Sequence, residues 1–141
     1  MTQAQTIEFE LVSPERKLVS EPVTLAVIPG SEGEMGVGPG HASVLSSLNP
    51  GVVALYTNDN AAPRRIFVAG GFADVTAEIC TVLAEHAIPV EDIDKAATEQ
   101  ELKDLAEDLE MAAEEADKAK VQAKIAIAKA KYRAATGEAV F

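Results

Sequence analysis

The chain has 141 residues, 48% of them apolar by type and only 4% aromatic, with no tryptophan and a formal net charge of −11. That acidity argues against nucleic acid and anionic membrane surfaces as partners, since both attract clustered positive charge. The length allows one or two small modules, whose core must be assembled from Val, Ile, Leu and Ala.

The opening Met1-Thr2-Gln3-Ala4-Gln5 has neither a basic start nor an apolar centre, so no signal peptide is expected. Strands are predicted at Ile7–Val12, Lys17–Ser20, Val23–Pro29, Met35–Val37, Val44–Leu48, Gly51–Tyr56, Arg65–Ala69, Gly71–Val75 and Ile79–Ala87. Ile7-Glu8-Phe9-Glu10-Leu11 alternates apolar and polar, which buries one face of a strand and wets the other. Asn58-Asp59-Asn60 reads as a hairpin turn, because Asn and Asp tolerate left-handed backbone angles. Gly70-Gly71 interrupts a long apolar run, and a kink there would carry the backbone from one sheet to another. Cys80 is the sole cysteine, which excludes an internal disulfide and fits a reducing compartment. Its neighbours Ile79, Val82 and Leu83 mark it as a buried small hydrophobe and not a nucleophile. Many short strands at close spacing suggest a sandwich or flattened barrel.

Between the third and fifth strands, residues 30–42 contain five glycines and one proline. Such a segment forms a pair of tight turns around a very short extended piece. It lifts Glu32, Glu34 and His41 off a rigid scaffold, where contact surfaces commonly lie. Gly36-Val37-Gly38-Pro39-Gly40 lacks the lysine and hydroxyl of a phosphate loop, and Pro39 removes a backbone donor, so turn chemistry is the better reading. Glu32 and Glu34 share one solvated loop, which does not separate two carboxyls into acid and base roles. His41 and His86, far apart and without partner cysteines, do not suggest a metal site.

Composition changes near Pro89. Beyond it there is no proline and one glycine, Gly137. The expected domains are therefore a strand-rich module over residues 1–89 and a helical one over residues 90–141. Thr98-Glu99-Gln100-Glu101 reads as a capping box, with Asp92 or Asp94 as alternative caps. Leu102, Leu105, Ala106 and Leu109 form one apolar stripe; Val121, Ile125, Ala128, Tyr132 and Ala135 form another. No Gly or Pro marks a turn between them, so one long helix is also physically open. Charge favours a hairpin. Residues 91–117 hold twelve acidic and two basic side chains, whereas residues 118–141 hold one acidic and six basic ones. Folding back brings opposite charges together, although each exposed pair contributes only about 0–1 kcal/mol.

Ser31-Glu32-Gly33-Glu34-Met35-Gly36-Val37-Gly38-Pro39-Gly40-His41-Ala42 fits S-E-G-E-[LM]-G-x-x-P-G-H-A throughout. A second match runs through Ala69-Gly70-Gly71-Phe72-Ala73-Asp74-Val75 to Thr81-Val82-Leu83-Ala84-Glu85. With its Ala- and Lys-rich tail, the chain resembles the epsilon subunits of bacterial F-type ATP synthases over its whole length. The resemblance implies an α+β fold: a ten-stranded β-sandwich followed by an antiparallel two-helix hairpin. It implies a non-catalytic rotor subunit without cofactor or metal, held at the cytoplasmic face of the bacterial inner membrane. Its partners would be the gamma subunit and the membrane ring of c subunits, with Glu32, Glu34 and His41 facing the ring. The alternative it implies is a conformational regulator, whose second helix, Lys118–Arg133, contacts beta subunits and blocks ATP hydrolysis.

Two positions depart from the family pattern. Many members carry [IL]-D-x-x-R-A at the start of the first helix, and in some of them this Arg helps bind ATP. Here Ile93-Asp94-Lys95-Ala96 leads to Ala97, which cannot replace a forked, permanently charged donor, so no ATP-binding residues are expected. Ser43 stands where many members have proline. The tail itself is closer in character to the mitochondrial delta counterpart.

Overall fold

The computed structural model describes residues 6–57 and 62–137. The turn expected at Asn58-Asp59-Asn60 lies outside the described residues. The chain divides into two compact units, one ending at Ile88 and the other beginning at Pro89.

The first unit is built from β1 (Ile7–Val12), β2 (Lys17–Val23), β3 (Leu25–Gly30), β4 (Gly33–Val37), β5 (Val44–Ser47), β6 (Gly51–Tyr56), β7 (Arg64–Val75) and β8 (Ile79–Pro89). The hydrogen-bonded order is β2-β1-β8-β7-β6-β3-β4, with β5 also on β7. Antiparallel pairing joins β1 to β2, β3 to both β4 and β6, and β7 to both β5 and β6. β1 and β8 run parallel, from Glu8–Ile79 to Val12–Leu83.

Among the described residues eight strands stand where the resemblance implied ten and the residues suggested nine. One difference lies at Gly70-Gly71. Both glycines have positive φ, 74° and 116°, yet β7 continues through them as one bent strand. Its first half pairs with β6, from Val68–Gly51 to Arg64–Leu55. Its second half pairs with β5, from Phe72–Ser47 to Val75–Val44. One strand thus serves both layers, as the sequence suggested, but it does so without breaking. A β-carbon on Gly71 would collide with the Leu83 carbonyl oxygen and lie 2.9 Å from its carbon, so only glycine lets the bend pass β8 this closely.

Between the layers lies one core, containing Ile7, Phe9 and Leu11 of β1, Ile28 of β3, Val53 and Leu55 of β6, Val75 of β7 and Val82 of β8. The β1 alternation is realised directly: Ile7, Phe9 and Leu11 are fully buried, while Glu8 and Glu10 face outward. Burying each such apolar residue contributes about 1.5–3 kcal/mol relative to exposure. Cys80 is buried among them, as its neighbours implied. Smaller shifts of strand ends accompany this. β2 extends to Val23, and Leu48 leaves β5 to make a bridge to Gly30.

The second unit holds a short 3-10 turn at Val90–Asp92, then α1 (Lys95–Met111) and α2 (Glu115–Thr136). The cap of α1 is Asp94, whose side chain accepts from the Ala97 N–H at 3.1 Å. The capping box at Thr98 is not formed. Thr98 lies one turn inside the helix, buried, with its hydroxyl donating to the Asp94 carbonyl at 2.8 Å. α1 and α2 run antiparallel: Lys131 meets Glu101 at 3.2 Å, and the Tyr132 hydroxyl donates to Glu99 at 2.9 Å. Ala112, Ala113 and Glu114 make the connection, with Ala112 and Glu114 in extended backbone that any residue adopts. Leu105 and Ala128 are buried, but Ala106 is exposed and does not belong to the apolar stripe. Gly137, with φ 75°, caps α2 by donating to the Arg133 carbonyl.

Candidate functional site: a pinned acidic turn

β3 ends at Gly30 and β4 begins at Gly33, and these two residues pair, so Ser31-Glu32 is a two-residue connection. Gly33 has φ +130°, which a side chain would strain. The turn is tied down from the neighbouring segment. The Ser31 N–H donates to Ser47 O at 2.9 Å, and the Asn49 N–H donates to Pro29 O at 2.8 Å. The Asn49 side-chain amide donates to the carbonyls of Gly30 and Ser31, at 3.2 and 3.4 Å. Gly51 packs so closely that a β-carbon there would lie 2.9 Å from Pro29 Cβ. Met35, half-buried, packs against the core and anchors β4 from beneath.

On this frame Glu32 and Glu34 are both exposed, one on the turn and one on β4, the last strand in the sheet order. Neither forms an ion pair among the described residues. His41 stands on a separate turn beyond the other end of β4. There Gly40 (φ +79°) donates to Ala77 O at 2.9 Å, and the His41 N–H donates to Gly38 O at 3.2 Å. The imidazole Nδ1 lies 2.7 Å from Ala42 O, a contact that requires the hydrogen on Nδ1. The structure therefore joins Glu32 and Glu34 in one feature and keeps His41 apart from them.

His86 is exposed, and no group of three or more His, Cys, Asp or Glu suited to a metal occurs among the described residues. Burial, and secondarily the Asp74 charge, pushes the Cys80 thiol up to about 11, so it is an unreactive core atom. Ala97 is exposed and contributes only its N–H, to the Asp94 cap. On α2, Lys118 pairs with Glu115 of its own helix and Lys131 with Glu101 of α1. Lys120, Lys124 and Lys129 are exposed and form no ion pair among the described residues. Charge pairing across the hairpin thus amounts to one ion pair among the described residues. A second exposed feature had no signal in the sequence. Leu45, Phe72 and Leu83 point away from the core on adjacent strands β5, β7 and β8, at 68%, 42% and 36% exposure. Asn49 was equally unmarked, because its partners lie eighteen or more residues away.

The family model for "ATP synthase, Delta/Epsilon chain, beta-sandwich domain" matches residues 6–90, and the one for the C-terminal domain of the ATP synthase epsilon chain matches residues 94–141. The chain belongs to the ATP synthase epsilon family. The epsilon chain of Rhodospirillum rubrum is 47% identical over 134 residues, 95% of this chain and 99% of that one. The epsilon chain of Rhodospirillum centenum is 45% identical over 132 residues, covering 91% and 90%. Among solved structures, a chain of the Euglena gracilis mitochondrial ATP synthase, resolved as OSCP/F1/c-ring in rotational state 1, superposes with a TM-score of 0.79 at 26% identity, covering 91% of this chain and 79% of that one. A chain of the Tetrahymena thermophila mitochondrial ATP synthase central stalk and c-ring superposes with a TM-score of 0.66 over 95% of this chain and 99% of that one; at 14% identity it speaks for the epsilon fold alone. No helix of this epsilon family member, among the described residues, is long and apolar enough to cross a membrane.

Proposed function

We propose that the chain is a non-catalytic rotor subunit of a proton-driven ATP synthase, coupling rotation of the membrane ring to the catalytic head through the gamma subunit. The observation that carries this reading is the pinned turn. In a chain of this family, two exposed carboxylates, without ion-pair partners among the described residues, are held on backbone that hydrogen bonds and a close Gly–Pro approach keep rigid. Torque transmission asks for this kind of stiffness. Glu32 and Glu34 would set register against basic loops of the ring, with charge supplying orientation more than affinity. His41, on its own turn, would be a separate ring contact. The exposed Leu45, Phe72 and Leu83 fit the gamma subunit, since broad apolar contact resists slip where a narrow wet one does not. The chain would sit peripherally, on the cytoplasmic face of the bacterial inner membrane.

The test is binding of the isolated ring to the purified complex of gamma and this chain. Replacing both carboxylates, Glu32→Lys with Glu34→Lys, is expected to weaken binding by about tenfold or more, with two pairs of about 0–1 kcal/mol each lost and turned repulsive. Unchanged binding would count against the assignment of the turn.

A second reading rests on Lys120, Lys124 and Lys129 of α2, which have no ion-pair partner among the described residues. They leave a basic face free to meet acidic beta-subunit loops, so that the hairpin acts as a brake on ATP hydrolysis. Truncation after Pro89 is then expected to raise hydrolysis by the assembled enzyme. An unaltered rate would rule the brake out.

A further inference from the structure

We infer that Asn49 is a positioning residue for ring attachment: it holds the Ser31-Glu32 turn in the shape that presents the two carboxylates. The inference rests on the reading of that turn as a ring contact. Asn49 makes three of the bonds that tie the β3–β4 connection to the neighbouring segment. Its N–H reaches Pro29 O at 2.8 Å, and its side-chain amide reaches Gly30 O at 3.2 Å and Ser31 O at 3.4 Å. Two successive carbonyls on the approach to the turn therefore share one donor group, which fixes the peptide planes on either side of Ser31. The fourth bond, from the Ser31 N–H to Ser47 O at 2.9 Å, closes the same patch from the other side.

The Gly30–Gly33 pair and the two backbone bonds do not depend on the Asn49 side chain, so what its amide adds is the pair of ties to the carbonyls of Gly30 and Ser31. Glu32 and Gly33 are exposed, and Gly33 has open space around it, so the tip has room to tilt when those two ties go. Asn49 itself is exposed and outside the core cluster, so its loss removes no packing that the sandwich depends on. An amide with two donors suits this place because both acceptors are neutral carbonyls. A charged donor would instead draw Glu32 onto itself and compete with the ring.

Ring binding by the purified gamma complex is measured for wild type, Asn49→Ala, the double variant Glu32→Gln with Glu34→Gln, and the triple variant. Amide hydrogen exchange at Ser31, Glu32 and Gly33 is measured on the free chain, with its thermal midpoint. Asn49→Ala is expected to weaken ring binding roughly threefold to tenfold, the worth of one or two neutral hydrogen bonds. It should speed exchange at those three amides and lower the midpoint by no more than about 10 °C, the worth of the same one or two bonds. In the background lacking both carboxylates its effect on binding should vanish, because it acts through them. Full effect in that background, or faster exchange without weaker binding while the glutamine variants do weaken it, overturns the role of Asn49 and leaves the ring contact standing. If the glutamine variants bind the ring as wild type does, the ring-contact reading fails and this inference with it. The exchange data would then still report whether Asn49 holds the turn. A large fall in midpoint would mark Asn49 as a fold residue and also overturn the inference.

Discussion

Of the glycines, Gly71 leaves a β-carbon the least room, so Gly71→Ala is a demanding perturbation. The residue sits at φ +116°, where any β-carbon costs about 1–3 kcal/mol in backbone strain. The new β-carbon would also meet backbone on β8: the Leu83 carbonyl oxygen, its carbon at 2.9 Å and Ala84 Cα at 3.0 Å. Backbone cannot rotate away as a side-chain tip can, so β8 must shift, at a further cost of about 1–3 kcal/mol. The sum, about 2–6 kcal/mol, is a large part of the 5–15 kcal/mol that an ordinary domain holds in total. Gly33→Ala is the matched control. It has φ +130° but open space around it, so it carries strain without collision. Urea unfolding followed by far-UV circular dichroism measures both. With a slope of about 1–2 kcal/mol per molar urea, Gly71→Ala should lower the midpoint by at least about 1 M, and by clearly more than Gly33→Ala. Equal shifts would refute the reasoning, because they would mean that β8 does not press on the bend.

Asp94→Ala should destabilise α1 by about 1 kcal/mol through loss of the cap, measured as faster amide exchange in its first turn. The Lys131–Glu101 pair should show a coupling of about 0.2–1 kcal/mol in a double-mutant cycle, shrinking as salt is raised. Cys80 should resist thiol reagents at pH 8 in the folded chain and react at once in denaturant. The unfolded thiol ionises near 9.0 and the folded one near about 11, so the folded state holds the proton longer. The contribution to stability is therefore fully present below pH 9 and declines as pH rises towards 11, which denaturation midpoints across that range will read.

How far the sequence could be read depended on the range of the interactions involved. β1 and β6 were legible to the residue, β1 by its local alternation of apolar and polar side chains and β6 as a short apolar run between turn residues. Gly70-Gly71 was recognised as a bend between layers, but glycine marks conformational freedom without saying whether hydrogen bonding stops; pairing to β5 and β6 on either side keeps β7 whole. Thr98 offered good capping chemistry and lost to Asp94, which begins the helix a turn earlier and leaves Thr98 buried. Ala106 has the right spacing for the stripe, yet alanine is too small for its exposure to be foreseen. The Ser31–Ala42 motif marked the tight turns on either side of β4. It could not reveal that Asn49 and Ser47 tie down the Ser31-Glu32 turn, because those bonds reach across β4 and β5 in sequence and carry no periodicity.

The role in coupling is tested most directly by ATP-driven proton pumping in the assembled synthase, after this chain is stripped away and then added back. Pumping should be lost on removal, return in proportion to the amount rebound, and return less with Glu32→Lys and Glu34→Lys than with wild type. Pumping that persists at full rate in its absence would contradict the account at its root.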